Sequence, residues 1–129
     1  MRKTLVCCAV TLMLLGLSMA AGSASGAVRP EEKTIKGEVV DQPCYDGKNG
    51  ARGEAHKSCA LSCAKRGNQL AIVEDGTNTV YSISGDYTAN KNEKLIPFVA
   101  EMVEAKGTVS EKDGKKWIML TSIKKSGMQ

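Results

Sequence analysis

Four side chains near the middle of the chain have the types and the spacing of a metal site. His56, Cys59 and Cys63 stand at positions i, i+3 and i+7, so at about 100° per residue they project from one face of a helix. Cys44 lies upstream, and His56 is the only histidine of the chain. Three sulfurs and one imidazole form the ligand set of a closed tetrahedral zinc site, and thiolates also suit Cu(I). The sequence predicts a zinc or copper ion held by these four residues.

The same cysteines also allow a disulfide. A bond from Cys44 to Cys59 or Cys63 would close a loop of about 15 to 20 residues and stabilise the fold by ~3 kcal/mol. A bond between Cys59 and Cys63 is less favourable, because their side chains on a regular helix do not point at each other well. This alternative leaves one spare thiol and describes a disulfide-stapled structural or interaction module with no metal.

A third interpretation makes Cys59 or Cys63 reactive, with His56 one helical turn from Cys59 as the base. The sequence supplies neither an orienting third residue nor an evident oxyanion site. Asp41, Asp46 and Glu54 form no convincing carboxylate pair and are expected to be solvated. No catalytic residue is predicted, and binding is favoured over catalysis.

Local sequence patterns predict the secondary structure of the segments that position these residues. Residues 34–41 alternate apolar or small with polar side chains, which is the period of a half-buried strand. Residues 42–54 contain three glycines and a proline and are predicted to be a loop; they lack the Gly-Lys-Ser/Thr ending of a phosphate-binding loop. Residues 55–66 are alanine-rich, end in Lys-Arg and precede Gly67, which predicts a helix with a glycine C-cap.

The remainder of the chain reads as two hairpins around a short helical segment. Pro97 suits the first turn of a helix within residues 95–102. Strands are predicted at 70–74, 79–84, 103–109 and 116–123, turning at Asp75-Gly76 and Asp113-Gly114. The fold class is therefore mainly β with a short Cys/His-bearing helix, as a small OB-like β-barrel in which Gly107 eases a strand bend. The alternative is a small α+β sandwich.

The N-terminus has the three-part layout of a secretory signal peptide, predicted over residues 1–27. Arg2 and Lys3 precede an uncharged run at 4–17, which is shorter than the ~20 residues of a membrane-spanning helix. Cleavage after Ala20 or after Ala27 would fit equally. The predicted organisation continues with a linker at 28–33, a single OB-like domain at 34–125 and a disordered tail at 126–129. We expect a periplasmic or secreted protein without a membrane anchor after cleavage.

Composition and charge exclude some partners. The 129 residues are 42% hydrophobic and 25% charged, with a net charge of +4 that falls to about +2 without Arg2 and Lys3. That balance is too even for a dedicated nucleic-acid binder, and Trp117 beside two lysines is a single aromatic rather than a stacking platform. No nucleic-acid partner is expected; the partner could be an envelope protein or a glycan.

Two short motifs carry a resemblance to a known family. Cys44-Tyr45 follows the first predicted strand, and residues 56–63 read His-Lys-Ser-Cys-Ala-Leu-Ser-Cys. The chain resembles a family of small exported, functionally uncharacterised bacterial proteins that pair a Cys-Tyr with a His-x-x-Cys-Ala-x-x-Cys helix and an OB-like C-terminal half. The resemblance extends through residues 95–123. It implies a shared Cys/His site and no particular reaction.

Overall fold

The computed structural model describes residues 30–127, which form a closed five-stranded β-barrel. The order of the strands around it is β1-β2-β3-β5-β4, closed by pairing of β4 with β1. All neighbouring strands are antiparallel except β3 and β5, which are parallel. This confirms the predicted small OB-like barrel. The strands are β1 (Glu31–Asp41), β2 (Leu70–Glu74), β3 (Val80–Ser84), β4 (Met102–Lys112) and β5 (Lys115–Lys125).

The first strand spans the barrel and pairs on both of its edges. Its N-terminal part pairs with β4 from Glu31 to Glu38, and its C-terminal part pairs with β2 from Gly37 to Asp41. The strand thus begins inside the predicted linker, because residues 31–33 are already paired with β4. Asp41, the last residue of β1, leads directly into the segment that carries Cys44.

The β4–β5 hairpin contains the predicted bend at Gly107. The register between the two strands shifts between Lys106 and Gly107. A β-carbon on Gly107 would collide with the backbone carbonyl oxygen of Met119. Only glycine allows the two backbones to approach this closely, which lets the strand curve around a small barrel.

The connecting segments contain more helix than expected. The prediction of a loop at 42–54 is wrong for its first six residues, which form α1 (Gln42–Gly47). Pro43 does not end the structure there, because a residue in the first helical turn needs no hydrogen-bonded N–H. The predicted helix at 55–66 is a 3-10 turn (Glu54–His56) followed by α2 (Lys57–Lys65). Further 3-10 turns lie at Asp86–Thr88 and Ile96–Phe98, and between them Asn90, Lys91 and Asn92 form a left-handed turn with positive φ.

The second helix packs against the barrel through small side chains. Ala60 and Ala64 belong to the main core cluster, so α2 lies close to the barrel wall. Lys57 at its first turn forms an ion pair of 2.7 Å with Glu101 just before β4. The core that α2 covers includes Ile35, Val39, Leu70, Ile72, Ile83, Leu95, Val103 and Ile118.

Three of the predicted segments lie wholly or partly outside the described residues. They are the signal peptide at 1–27, the first two residues of the linker at 28–33 and the last two residues of the tail at 126–129. Within residues 30–127, no helix has the length and hydropathy needed to cross a membrane.

Candidate metal centre

The structure brings together the three cysteines that follow the predicted signal peptide. The Sγ atoms of Cys44, Cys59 and Cys63 all lie within 4.8 Å of one another. Zinc–sulfur bonds of about 2.3 Å place two tetrahedral sulfur ligands roughly 3.8 Å apart. A small inward movement of the side chains therefore suffices for all three sulfurs to reach one ion.

Cys44 is positioned by the capped start of α1. The Oδ2 atom of Asp41 accepts a hydrogen bond of 3.3 Å from the backbone N–H of Cys44, which satisfies one of the free donors at a helix N-terminus. The carbonyl oxygen of Cys44 in turn accepts from the N–H of Lys48 at 2.9 Å. The thiol is thus held on a short rigid turn directly after β1.

Cys59 and Cys63 are positioned by α2, whose C-terminal end is tightly bonded. Gly67 has φ of +92°, and its N–H donates to the carbonyl oxygen of Ala64 at 2.9 Å, which is a glycine C-cap of the kind expected from the sequence. The buried Asn92 adds a side-chain donor to the same carbonyl at 3.0 Å. Cys63 is 5% exposed, whereas Cys59 and Cys44 are half-buried.

Two cations lie beside the sulfur cluster. The Nη2 atom of Arg66 donates a hydrogen bond of 3.0 Å to Sγ of Cys63, and the positive charge of Lys48 acts on Cys44. Three thiolates around Zn²⁺ carry a net charge of −1, and around Cu⁺ a net charge of −2. The neighbouring cations offset part of that charge. The sequence predicted Arg66 only as a basic residue in the last turn of the helix, and its contact with Cys63 was not predicted.

The carboxylate of Asp41 also bears on the Cys44 thiol. The hydrogen bond to Asp41 raises the pKa of Cys44 to about 12, with burial and the negative charge of Asp41 acting in the same direction. Without a bound ion, Cys44 is therefore a neutral thiol at neutral pH. An ion that binds its sulfur must displace this proton.

His56 does not share the tight grouping of the sulfurs. The group of ligand atoms within 4.8 Å of one another contains no His56 nitrogen. His56 is the residue directly before α2, and its Nε2 atom is buried without a hydrogen-bond partner. Its imidazole lines a narrow pocket together with Asp41, between β1 and α2.

Asp41 is the residue whose environment the sequence analysis misjudged. Asp46 and Glu54 are exposed as expected, but Asp41 has 0% exposure. The expectation that it is solvated is wrong, because its side chain turns inward to cap α1. An aspartate two residues before a proline is itself a helix-start signal, and that signal could have identified it.

The disulfide alternative is not supported by the structure. Cys44, Cys59 and Cys63 are all free thiols.

The fold and the cluster define the class of protein: a small OB-like β-barrel with a cluster of three cysteines that could hold a metal ion. Comparisons with models of protein families, with curated proteins and with solved structures yield no match. The function must therefore be argued from the site itself.

Proposed function

We propose that this protein is a small exported envelope protein that binds a zinc or copper ion through Cys44, Cys59 and Cys63, with His56 as the fourth ligand. The observation that supports it is the convergence of three sulfur atoms within 4.8 Å from two separate segments. Thiols gathered in this way, and free of disulfides, match the soft ligands that zinc and Cu(I) prefer.

The fourth ligand is proposed from position and chemistry. His56 precedes Cys59 by three residues on the same side of the helix start, and its Nε2 atom is buried without a partner. Neutral imidazole is a common metal ligand. Binding requires the imidazole to move toward the sulfurs, and the ion supplies the attraction for that movement. A Cys₃His set completes a tetrahedron for zinc, whereas three thiolates alone suit Cu(I).

Export is part of the proposal and rests on the sequence of residues 1–27, with the resemblance to small exported bacterial proteins in its support. Outside the cytoplasm, thiols that are not held by a metal tend to oxidise. A metal ion would keep the three cysteines reduced and together. The proposed partner is an envelope protein or a glycan.

The decisive experiment counts thiols and metal in protein purified from its exporting host. We expect about one equivalent of zinc or copper, no thiol reactive toward a chromogenic disulfide reagent before chelation, and three reactive thiols per mature chain afterwards. One reactive thiol with and without the chelator would instead establish the disulfide-stapled module. Three reactive thiols without metal would contradict binding.

Substitution of one ligand separates the site from the fold. Cys63→Ser and Cys59→Ser are each expected to weaken zinc binding by at least ~100-fold, since loss of an outer-shell partner alone costs 10- to 100-fold. Ser62→Ala is the matched control, because Ser62 is exposed and adjacent to Cys63 on α2. Equal zinc affinity in Cys63→Ser and Ser62→Ala would refute the proposed ligand set.

A further inference from the structure

Two buried polar side-chain atoms lack a hydrogen-bond partner within residues 30–127, and they belong to two residues that line the same pocket. They are Oδ1 of Asp41 and Nε2 of His56. Asp41 is fully buried, and an unsatisfied buried polar group costs about 1–3 kcal/mol. Buried polar atoms in native proteins nearly always have a hydrogen-bond partner, so two without one in residues of the same pocket call for a functional explanation.

The two atoms are chemically complementary. A carboxylate oxygen accepts hydrogen bonds only, and Nε2 of a neutral imidazole donates when it carries the proton. The pocket that Asp41 and His56 both line has no room for a water molecule.

The other charged groups of the pocket already have partners. Glu38 accepts a hydrogen bond from the backbone N–H of Gly53. The Nη1 atom of Arg52 donates to Oδ1 of Asn78 at 3.5 Å. Among the residues that line this pocket, Asp41 and His56 are the two with a buried polar side-chain atom that lacks a hydrogen-bond partner.

We propose that Asp41 is a positioning residue for the metal centre. In the loaded protein, Oδ1 of Asp41 accepts a hydrogen bond from Nε2–H of His56, which leaves Nδ1 to bind the ion. Metal-binding histidines usually donate their second ring N–H to such an acceptor, which sets the tautomer and the ring orientation. This inference rests on the proposed function, because it concerns the ligand geometry of the same ion.

The same bond ties together the two segments that carry the sulfurs. Asp41 caps α1, which carries Cys44, and His56 stands directly before α2, which carries Cys59 and Cys63. Asp41 would thus hold the first sulfur through its Oδ2 atom and the imidazole through its Oδ1 atom. One side chain then determines how the two halves of the site meet.

The test uses Asp41→Asn, which keeps the cap and removes the second acceptor. Asparagine caps helices as well as aspartate, so its amide oxygen can still accept from Cys44 N–H, while its NH₂ group cannot accept from His56. The substitution also removes a negative charge beside Cys44, and that effect does not involve His56. Zinc affinities are therefore measured for wild type, Asp41→Asn, His56→Gln and the double variant.

We expect the loss of zinc affinity caused by Asp41→Asn to be about 10-fold larger with His56 present than in the His56→Gln background. Effects of charge or of the cap are common to both backgrounds and cancel. A loss of equal size in both backgrounds would overturn the inference. Zinc binding by the cysteines would remain intact in that case, so the proposed function is judged separately by the thiol count.

A measurement on the wild type makes the test independent of whether the variants fold. Long-range ¹H–¹⁵N spectra of the zinc-loaded full-length protein report which ring nitrogen carries the proton. We expect a protonated Nε2 and a metal-bound Nδ1 in His56. A protonated Nδ1, or an imidazole unaffected by zinc, would refute the inference.

Discussion

The β4–β5 hairpin and the cysteine segment, residues 42–66, are held in place by different kinds of interaction. The hairpin is a backbone ladder from Val103 opposite Lys125 to Lys112 opposite Lys115, with one register shift between Lys106 and Gly107. The cysteine segment has no strand. One backbone hydrogen bond, from the N–H of Gln42 to the carbonyl oxygen of Gln69 at 3.0 Å, ties its start to the barrel, and side-chain contacts such as the Asp41 cap and the Lys57–Glu101 ion pair hold the rest.

The difference shows where this protein can respond to a ligand. The backbone hydrogen bonds of a β-ladder form cooperatively, so the loss of one side-chain contact changes the geometry of the ladder little. A segment held by a few side-chain bonds opens more easily than the barrel around it. The sulfur cluster lies on the cysteine segment, which has no strand pairing of its own. An ion that joins Cys44 to α2 would therefore add a cross-link within this segment.

The largest expected effect comes from placing a β-carbon at the bend of the hairpin. Gly107→Ala should lower the free energy of unfolding by ~3 kcal/mol, because the new carbon meets the Met119 carbonyl oxygen in a backbone that cannot yield. Urea denaturation measures the change.

Gly47→Ala is the matched control in the cysteine segment. Nothing lies within 4 Å of a β-carbon at Gly47, so the same substitution should be neutral or stabilise by up to about 1 kcal/mol. If Gly107→Ala and Gly47→Ala lowered the free energy of unfolding equally, the proposed difference between the hairpin and the cysteine segment would be contradicted.

Metal loading should stabilise the two regions unequally. Zinc at 100 times its dissociation constant adds about 2.7 kcal/mol to the free energy of unfolding. Where amides exchange through local fluctuations, hydrogen exchange should slow within residues 42–66, whose opening releases the ion, and change little at amides of β4 and β5 whose opening leaves the site intact. Uniform slowing across the barrel would show that the cysteine segment does not open independently.

Asn92 tests the side-chain anchoring of α2. Its amide donates to the carbonyl oxygens of Ala64 and Asn68 at 3.0 and 2.9 Å. Asn92→Gly removes both bonds and suits the positive φ of that residue, so we expect a loss of about 1–2 kcal/mol and faster hydrogen exchange in the last turn of α2.

The control for Asn92→Gly is Asn90→Gly, because Asn90 also has a positive φ but is exposed. Thermal denaturation should show little change for this variant. A loss comparable to that of Asn92→Gly would assign the effect to backbone conformation rather than to the two hydrogen bonds.

The smallest expected effect lies on the barrel surface. The Thr77 hydroxyl and the Lys33 ammonium hold the pKa of Glu74 below its usual value. Glu74 therefore contributes stability above its unfolded pKa and loses it as the pH falls through the lower folded value. Because the pair is partly exposed, Glu74→Gln should cost less than ~1 kcal/mol at pH 7.

The pH dependence checks the sign of that effect. The difference in the free energy of unfolding between wild type and Glu74→Gln should be constant from pH 6 to 8 and vanish at acid pH. At the basic end it should shrink only as Lys33 loses its proton, since the pKa of Lys33 is raised. A difference that grows toward acid pH would contradict the assignment.

Local patterns predicted the barrel well because its strands follow simple rules. The alternation in residues 34–41 and the turns at Asp75-Gly76 and Asp113-Gly114 locate strands that the structure contains. The extension of β1 back to Glu31 was missed, since Glu31-Glu32-Lys33 carries no apolar alternation and is ordered by pairing with β4. Helix α1 was missed because the glycines and the proline in and around it suggested a loop, while contacts with distant residues, such as the hydrogen bond of 2.7 Å from Ser82 to Gln42, help to hold it.

The sequence by itself determined the barrel class and the helix that carries Cys59 and Cys63, because strand alternation, turn residues and helix caps act over a few neighbouring positions. Only the tertiary structure decided that Cys44 meets those two sulfurs, that Asp41 is buried, and that His56 stands outside the sulfur group while lining the same pocket as Asp41. These facts depend on how α1 and α2 pack at the end of β1. Contacts between residues that are distant in the chain produce no periodic pattern in the sequence, so local patterns could not predict them.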